Sequence, residues 1–184
     1  MKKMSLLTLI CIFMIVGSLV FAQEKAQFQY GGVATCKACH LSAASGAQFK
    51  IWQASAHAKT FETLKSEAAQ KIAKGKGIAD PTTADACLKC HVTAHGVAAE
   101  LKGPKLTIEE GVSCEACHGP GSAYKSKQVM QDIHDGKVKG AQYGLVKPVK
   151  ETCVKCHNSE SPTYKEFKFE ESVKLIAHPT PKKP

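Results

Sequence analysis

Every cysteine after residue 22 belongs to a copy of one five-residue pattern, C-x-x-C-H. The copies are CKACH (Cys36, Cys39, His40), CLKCH (Cys87, Cys90, His91), CEACH (Cys114, Cys117, His118) and CVKCH (Cys153, Cys156, His157). Eight cysteines in a chain that opens like a secreted one would ordinarily be read as four disulfides. The histidine after each pair points elsewhere. C-x-x-C-H is the attachment pattern of c-type haem: two thioethers fix the macrocycle, and the adjacent imidazole reaches the iron as proximal ligand. Two intervening residues place both sulfurs on a single helical turn, facing one edge of the ring. Paired C-x-x-C units also suit tetrahedral zinc, and a lone C-x-x-C suits a thioredoxin-like redox pair. Four histidine-terminated copies that use every cysteine after the leader favour haem, and no alternating strand and helix pattern surrounds any of them.

The motifs start at residues 36, 87, 114 and 153, so they are not tandem repeats of fixed period. With roughly forty residues per haem, protein side chains alone offer too little burial, and the cofactors must supply much of the apolar core. The expected architecture is a mainly α, small single domain over 23–184, with a haem-packed core and little regular β structure. Residues 42–74 read as helix, with Phe49, Trp52, Phe61 and Leu64 available to cover haem faces. Gly75, Gly77 and Asp80-Pro81 stop it, and Gly119-Pro120-Gly121 turns the chain after the third motif. Segments 99–112 and 135–150 read as connections, and a short helix over 166–177 precedes a frayed tail.

The first 22 residues read as a signal peptide. Lys2 and Lys3 precede an apolar run from Leu6 to Phe21, and Val20 and Ala22 are the small residues before a cut ahead of Gln23. The run is nearly long enough to remain as a membrane anchor; Cys11 lies inside it rather than at its end, unlike a lipoprotein signal. Export implies a periplasmic location. The 25 basic residues are all lysine. A surface without arginine lacks the bidentate head that nucleic-acid sites lean on, so no nucleic-acid partner is expected and the lysines read as a solvated face that steers acidic proteins.

Eight histidines occur, and four lie outside the motifs: His57, His95, His134 and His178. Beside four haems they suggest distal ligands and six-coordinate, low-spin iron. His95 follows His91 by four residues, and four extended residues reach at most about 13–14 Å, too little to round the ring held by His91. It serves another haem or none. Met130, the one methionine after the leader, reads as packing.

In order, CKACH, SAHAKTFETLK (55–65), CLKCHVTAHG (87–96), GVSCEACHGPG (111–121), CVKCH and FKFEESVKLIAH (167–178) resemble the tetrahaem cytochrome c-554 family over nearly the whole chain after the leader. GVxCExCHGPG and the AHAK helix carry most of that resemblance. It implies three bis-histidine haems and a five-coordinate second one: His134 pairing with His40, His57 with His118 and His178 with His157, leaving His91 unpartnered. The stretch around His134 and the one before the tail helix are spaced differently from the family, and His95 stands where it often has an aromatic residue. The implied role is electron transfer, from a periplasmic oxidoreductase such as hydroxylamine oxidoreductase to a membrane-bound or periplasmic cytochrome. Bis-histidine ligation implies low potentials. Two alternatives follow from the same residues. One is a reductase of nitric oxide or a similar small molecule at an open His91 haem, with His95 and Glu100 as proton donors; the other is a haem module of a larger respiratory assembly.

Overall fold

Serines punctuate the segment expected to be one long helix. Ser55 donates its Oγ hydrogen to the Trp52 carbonyl (2.7 Å) and turns extended, and Ser66 does the same to Thr63 (2.7 Å). A hydroxyl that bonds its own backbone competes with the helix ladder. The segment therefore divides into Gln48–Ala54, a 3₁₀ turn His57–Lys59, Thr60–Thr63 and Glu67–Gly75. The last piece is N-capped by Ser66, whose Oγ accepts from Ala69 N at 3.2 Å.

The computed structural model describes residues 28–180; the expected signal peptide, 1–22, lies outside them. The helices are α1 (Val33–His40), α2 (Gln48–Ala54), α3 (Thr60–Thr63), α4 (Glu67–Gly75), α5 (Asp85–His91), α6 (Cys114–His118), α7 (Lys127–His134), α8 (Lys150–Cys153) and α9 (Phe169–Ile176), joined by 3₁₀ turns and loops. α7 falls where no helix was expected; Ser126 caps it, accepting from Val129 N at 3.2 Å. Among the described residues there is no strand, only an isolated bridge between Tyr30 and Lys102, in keeping with a mainly α, single-domain chain. No described helix is long and apolar enough to cross a membrane.

The apolar core is small. Among the described residues, Phe49, Phe61, Leu64, Ala73, Leu88, Val92 and Tyr124 are the buried hydrophobic side chains. Phe61, Leu64, Leu88 and Val92 form one cluster with Cys87 packed against it, so the α3 segment leans on the second motif. Phe49 packs beside Trp52, whose indole donates to the Val112 carbonyl at 2.9 Å, two residues before the third motif. The four aromatic and aliphatic side chains expected to cover haem faces thus lie beside motifs. Seven buried apolar side chains are few for a chain of this length, in line with a core completed by cofactor.

Candidate haem-binding site

Each motif occupies one helical turn. CKACH closes α1, CLKCH closes α5, CEACH is the whole of α6, and CVKCH runs from the end of α8 into a turn in which His157 N donates to Cys153 O at 3.0 Å. All eight cysteines are free of disulfides. Burial raises Cys117, and burial followed by the neighbouring Cys90 pushes Cys156 up to about 12. Among the described residues no three His, Cys, Asp or Glu side chains converge on one point as a zinc site requires.

The motifs meet in twos. The Cys36 and Cys114 sulfurs are neighbours, an interaction that lowers Cys36 and, with burial, raises Cys114, so the attachment points of the first and third motifs lie together. Cys156 lies beside Cys90, its Sγ 4.0 Å from the Lys89 carbonyl, and the Lys89 ammonium meets Glu160 at 2.6 Å. The second and fourth motifs are thereby adjacent.

Three of the four proximal imidazoles have their Nδ1 held by an oxygen that can only accept. His91 Nδ1 donates to the Thr60 carbonyl at 2.7 Å, His118 to the Val146 carbonyl at 3.2 Å, and His40 to Gln48 Oε1 at 3.2 Å. The Gln48 amide is oriented by the donations of its Nε2 to the Ser45 and Pro179 carbonyls, so its oxygen is the atom left for His40. A proton fixed on Nδ1 leaves Nε2 bare, the tautomer that a metal binds.

The spare histidines divide. The rings of His57 and His157 lie with centroids 5.9 Å apart, and those of His118 and His178 at 5.8 Å. Two imidazoles on opposite sides of one metal, each bonded at about 2 Å, put their centroids about 6 Å apart. Burial, with the facing His157, lowers His57; burial is also the main cause for His118 and His178, so all three imidazoles are neutral near pH 7 and free to ligate. These spacings and tautomers fit haem c, with the motif cysteines as its thioether points.

These ring neighbours differ from two of the distal pairings that the resemblance implied: the His57 ring lies by His157, where the resemblance pairs it with His118, and the His178 ring lies by His118, where the resemblance pairs it with His157. The backbone of His57 does lie by the third motif, its carbonyl accepting from Val112 N at 3.1 Å, but its ring reaches the fourth. The tail is drawn to the first and third motifs because Pro179 O accepts from Gln48 on α2 at 2.9 Å. His134 ends α7, partly buried. His95, in the turn after α5, reaches back to the start of that helix, its Nε2 3.0 Å from Asp85 Oδ1, helped by the left-handed backbone of Ala94 and Gly96.

Residues 35–119 match the family described as "Cytochrome c554 and c-prime". The chain is 31% identical over 182 residues to cytochrome c-554 of Nitrosomonas europaea, covering 82% of this chain and 74% of that protein. The chain belongs to the cytochrome c-554 family. The fold agrees: the reduced-state structure of the Nitrosomonas europaea cytochrome c554 superposes with a TM-score of 0.57 at 29% identity, over 81% of this chain and 83% of that one. This member of the family is therefore a multihaem c-type cytochrome that binds haem c covalently and transfers electrons to redox partner proteins.

The supporting contacts of this cytochrome were not read from its sequence. Thr60 is a junction: its Oγ1 bonds to the His57 and His91 carbonyls (3.0 and 2.9 Å) and accepts from Val112 N at 2.9 Å, while its own carbonyl holds His91. Glu115, inside the third motif and 1% exposed, accepts from the amides of Gly31, Gly32 and Gly121 at 2.8, 2.8 and 2.6 Å. Gly32 has φ 80°, and a Cβ there would strike the Lys105 carbonyl, so only glycine brings the N-terminus of α1 onto this carboxylate. A glutamate between two haem cysteines was the available signal; Thr60 and Gln48 gave none.

Proposed function

We propose that the chain is an exported, periplasmic electron carrier with four covalent haems, one at each C-x-x-C-H motif, and a signal peptide cleaved after Ala22. The observation that carries this is the pairing of imidazoles at iron-spanning distance, His57 with His157 and His118 with His178, beside four one-turn motifs. Bound haem would supply a one-electron iron couple at each site. The protein's part is to fix the imidazole tautomers through Thr60, Val146 and Gln48, to bring motif pairs together, and to exclude water with Phe49, Trp52, Phe61 and Leu64. His40 takes His134 as its distal ligand in this reading, which rests on the family resemblance alone. The donor is a periplasmic oxidoreductase of the hydroxylamine oxidoreductase kind, the acceptor a membrane-bound or periplasmic cytochrome, and the lysine-rich surface favours acidic faces on both. Mixing stopped-flow experiments with such a donor test the reading: reduction is fast at low ionic strength and slows steeply with salt, and a salt-independent rate contradicts the steering.

A second reading is favoured by one contact. His95 is engaged by Asp85, so it is not presented to His91, and the His91 iron is then five-coordinate and open to a small ligand such as nitric oxide. Reductase activity at that site is a secondary role. Turnover of nitric oxide by the reduced protein, absent when the site is blocked with cyanide, tests it.

A further inference from the structure

Two buried carboxylates stand between the first and third motifs, and carrying electrons through those sites explains neither. Glu110 is 8% and Glu115 is 1% exposed. Glu110 is bonded to Val33 N, three residues before Cys36, and to Ser113, the residue before Cys114, while Glu115 inside the third motif is bonded to Gly31 and Gly32 ahead of the first, so the pair lies beside both haem-attachment points. Their surroundings differ. Three amides compensate the charge on Glu115, whereas Glu110 has one amide, Val33 N at 2.8 Å, and one hydroxyl, Ser113 Oγ at 2.7 Å. Of two buried carboxylates, the one with fewer compensating donors is the more readily protonated.

We propose that Glu110 is a redox-linked proton site: it takes up one proton from water as one electron, delivered by a protein donor, converts ferric to ferrous iron at the adjoining first or third motif. The carboxylate becomes the carboxylic acid, and the proton offsets the charge that the electron brings into a buried region. The inference rests on haem being held at those two motifs.

The neighbours agree. Burial raises Glu110 above the usual carboxylate range, the Val33 amide and Ser113 hydroxyl oppose this, and the Glu115 charge adds to it. From α3, packed against the 3₁₀ turn that carries Glu110, the titratable side chain is Glu62, which is exposed and paired with Lys65 at 2.8 Å. Its neighbour Glu109 is exposed. From α1 and α6 the facing groups are Cys36, Cys114 and Glu115; Tyr30 and Tyr124, raised by burial and by Glu115, stay protonated. No cation is among the groups that act on Glu110. Ser113 in turn lies 3.1 Å from the Thr93 hydroxyl, so a buried hydroxyl pair leads from Glu110 towards the second motif.

The sign follows from charge. Below its transition Glu110 is neutral and the site is easier to reduce; above it the anion favours ferric iron and the midpoint potential falls. Spectroelectrochemical titration of the haem-loaded protein from acidic to mildly alkaline pH reads this directly. In the wild type the midpoint of at least one haem falls as pH rises through a window above the usual carboxylate range. Glu110→Gln abolishes that slope. Ser113→Ala, which removes a donor that favours the anion, keeps the slope and moves its window to higher pH. A flat wild type, a slope unchanged in Glu110→Gln, or a window unmoved in Ser113→Ala overturns the proposal. If Glu110→Gln does not load haem, Ser113→Ala decides. Haem content by pyridine haemochrome, measured on the same samples, reports separately on whether the first and third motifs are loaded.

Discussion

The His57 and His157 rings lie with centroids 5.9 Å apart and planes at 80°, although the two residues are one hundred positions apart. His157 also stacks on Phe167 at 4.7 Å. The imidazole of the fourth motif thus has both an aromatic ring and a second imidazole as neighbours. Replacing His57 with alanine is expected to convert one low-spin haem to high spin, and the haem affected is that of Cys153, Cys156 and His157. Paramagnetic NMR checks the assignment, because the new high-spin iron shifts and broadens the Phe167 resonances. Perturbation centred on Tyr124 and the third motif instead would restore the crossed pairing that the resemblance implied.

Gln48 couples two ends of the chain, accepting from His40 and donating to the carbonyl of Pro179. Gln48→Leu removes both contacts at similar volume. Without an acceptor at Nδ1 the His40 imidazole is a weaker donor to iron, so the first haem's potential should rise. The tail that presents His178 should also loosen, and the low-spin signal of the third haem should weaken on mild heating. Unchanged potentials and spin state would show that the Gln48 amide is incidental.

What was legible in the sequence and what was not divide along a physical line. Covalent attachment is local, so four C-x-x-C-H strings announced themselves, and the mainly helical fold followed from the helix-like segments and the scarcity of strand signals. Pairing of distal histidines is tertiary. His57 sits in a recognisable segment, but which ring it faces depends on how Val112 takes its carbonyl and where its side chain is left to go. The break of the 42–74 helix was written in Ser55 and Ser66, whose local hydroxyl bonds outweighed the apolar periodicity that suggested continuity.

Thr60 bonds to three segments with one hydroxyl and to His91 with its carbonyl. Thr60→Val keeps the shape and removes the hydroxyl, so Val112 N keeps only its bond to the His57 carbonyl and the His91 carbonyl loses a donor. The net loss of such a hydrogen bond costs about 0.5–1.5 kcal/mol. Denaturant midpoints of the haem-loaded protein should fall accordingly, with the second haem's spectrum disturbed before the others. A change within error would mean that water replaces the hydroxyl at no cost.

The contact of His95 with Asp85 bears on the second haem. Ferric-state electron paramagnetic resonance is expected to show one high-spin haem beside three low-spin ones, and His95→Ala should leave that pattern intact, because His95 is not the ligand that closes any iron. Conversion of a low-spin signal to high spin in His95→Ala would assign His95 as a distal ligand after all.

The central claim is that all eight cysteines after the leader are consumed by haem. Intact mass of the purified, natively matured protein after acid-acetone extraction counts covalent haems directly. The account predicts four per chain, with no free thiol on alkylation and an N-terminus at Gln23. A mass with fewer than four haems from cells with a working haem-attachment system, or alkylated cysteines at any of the motifs, would contradict it.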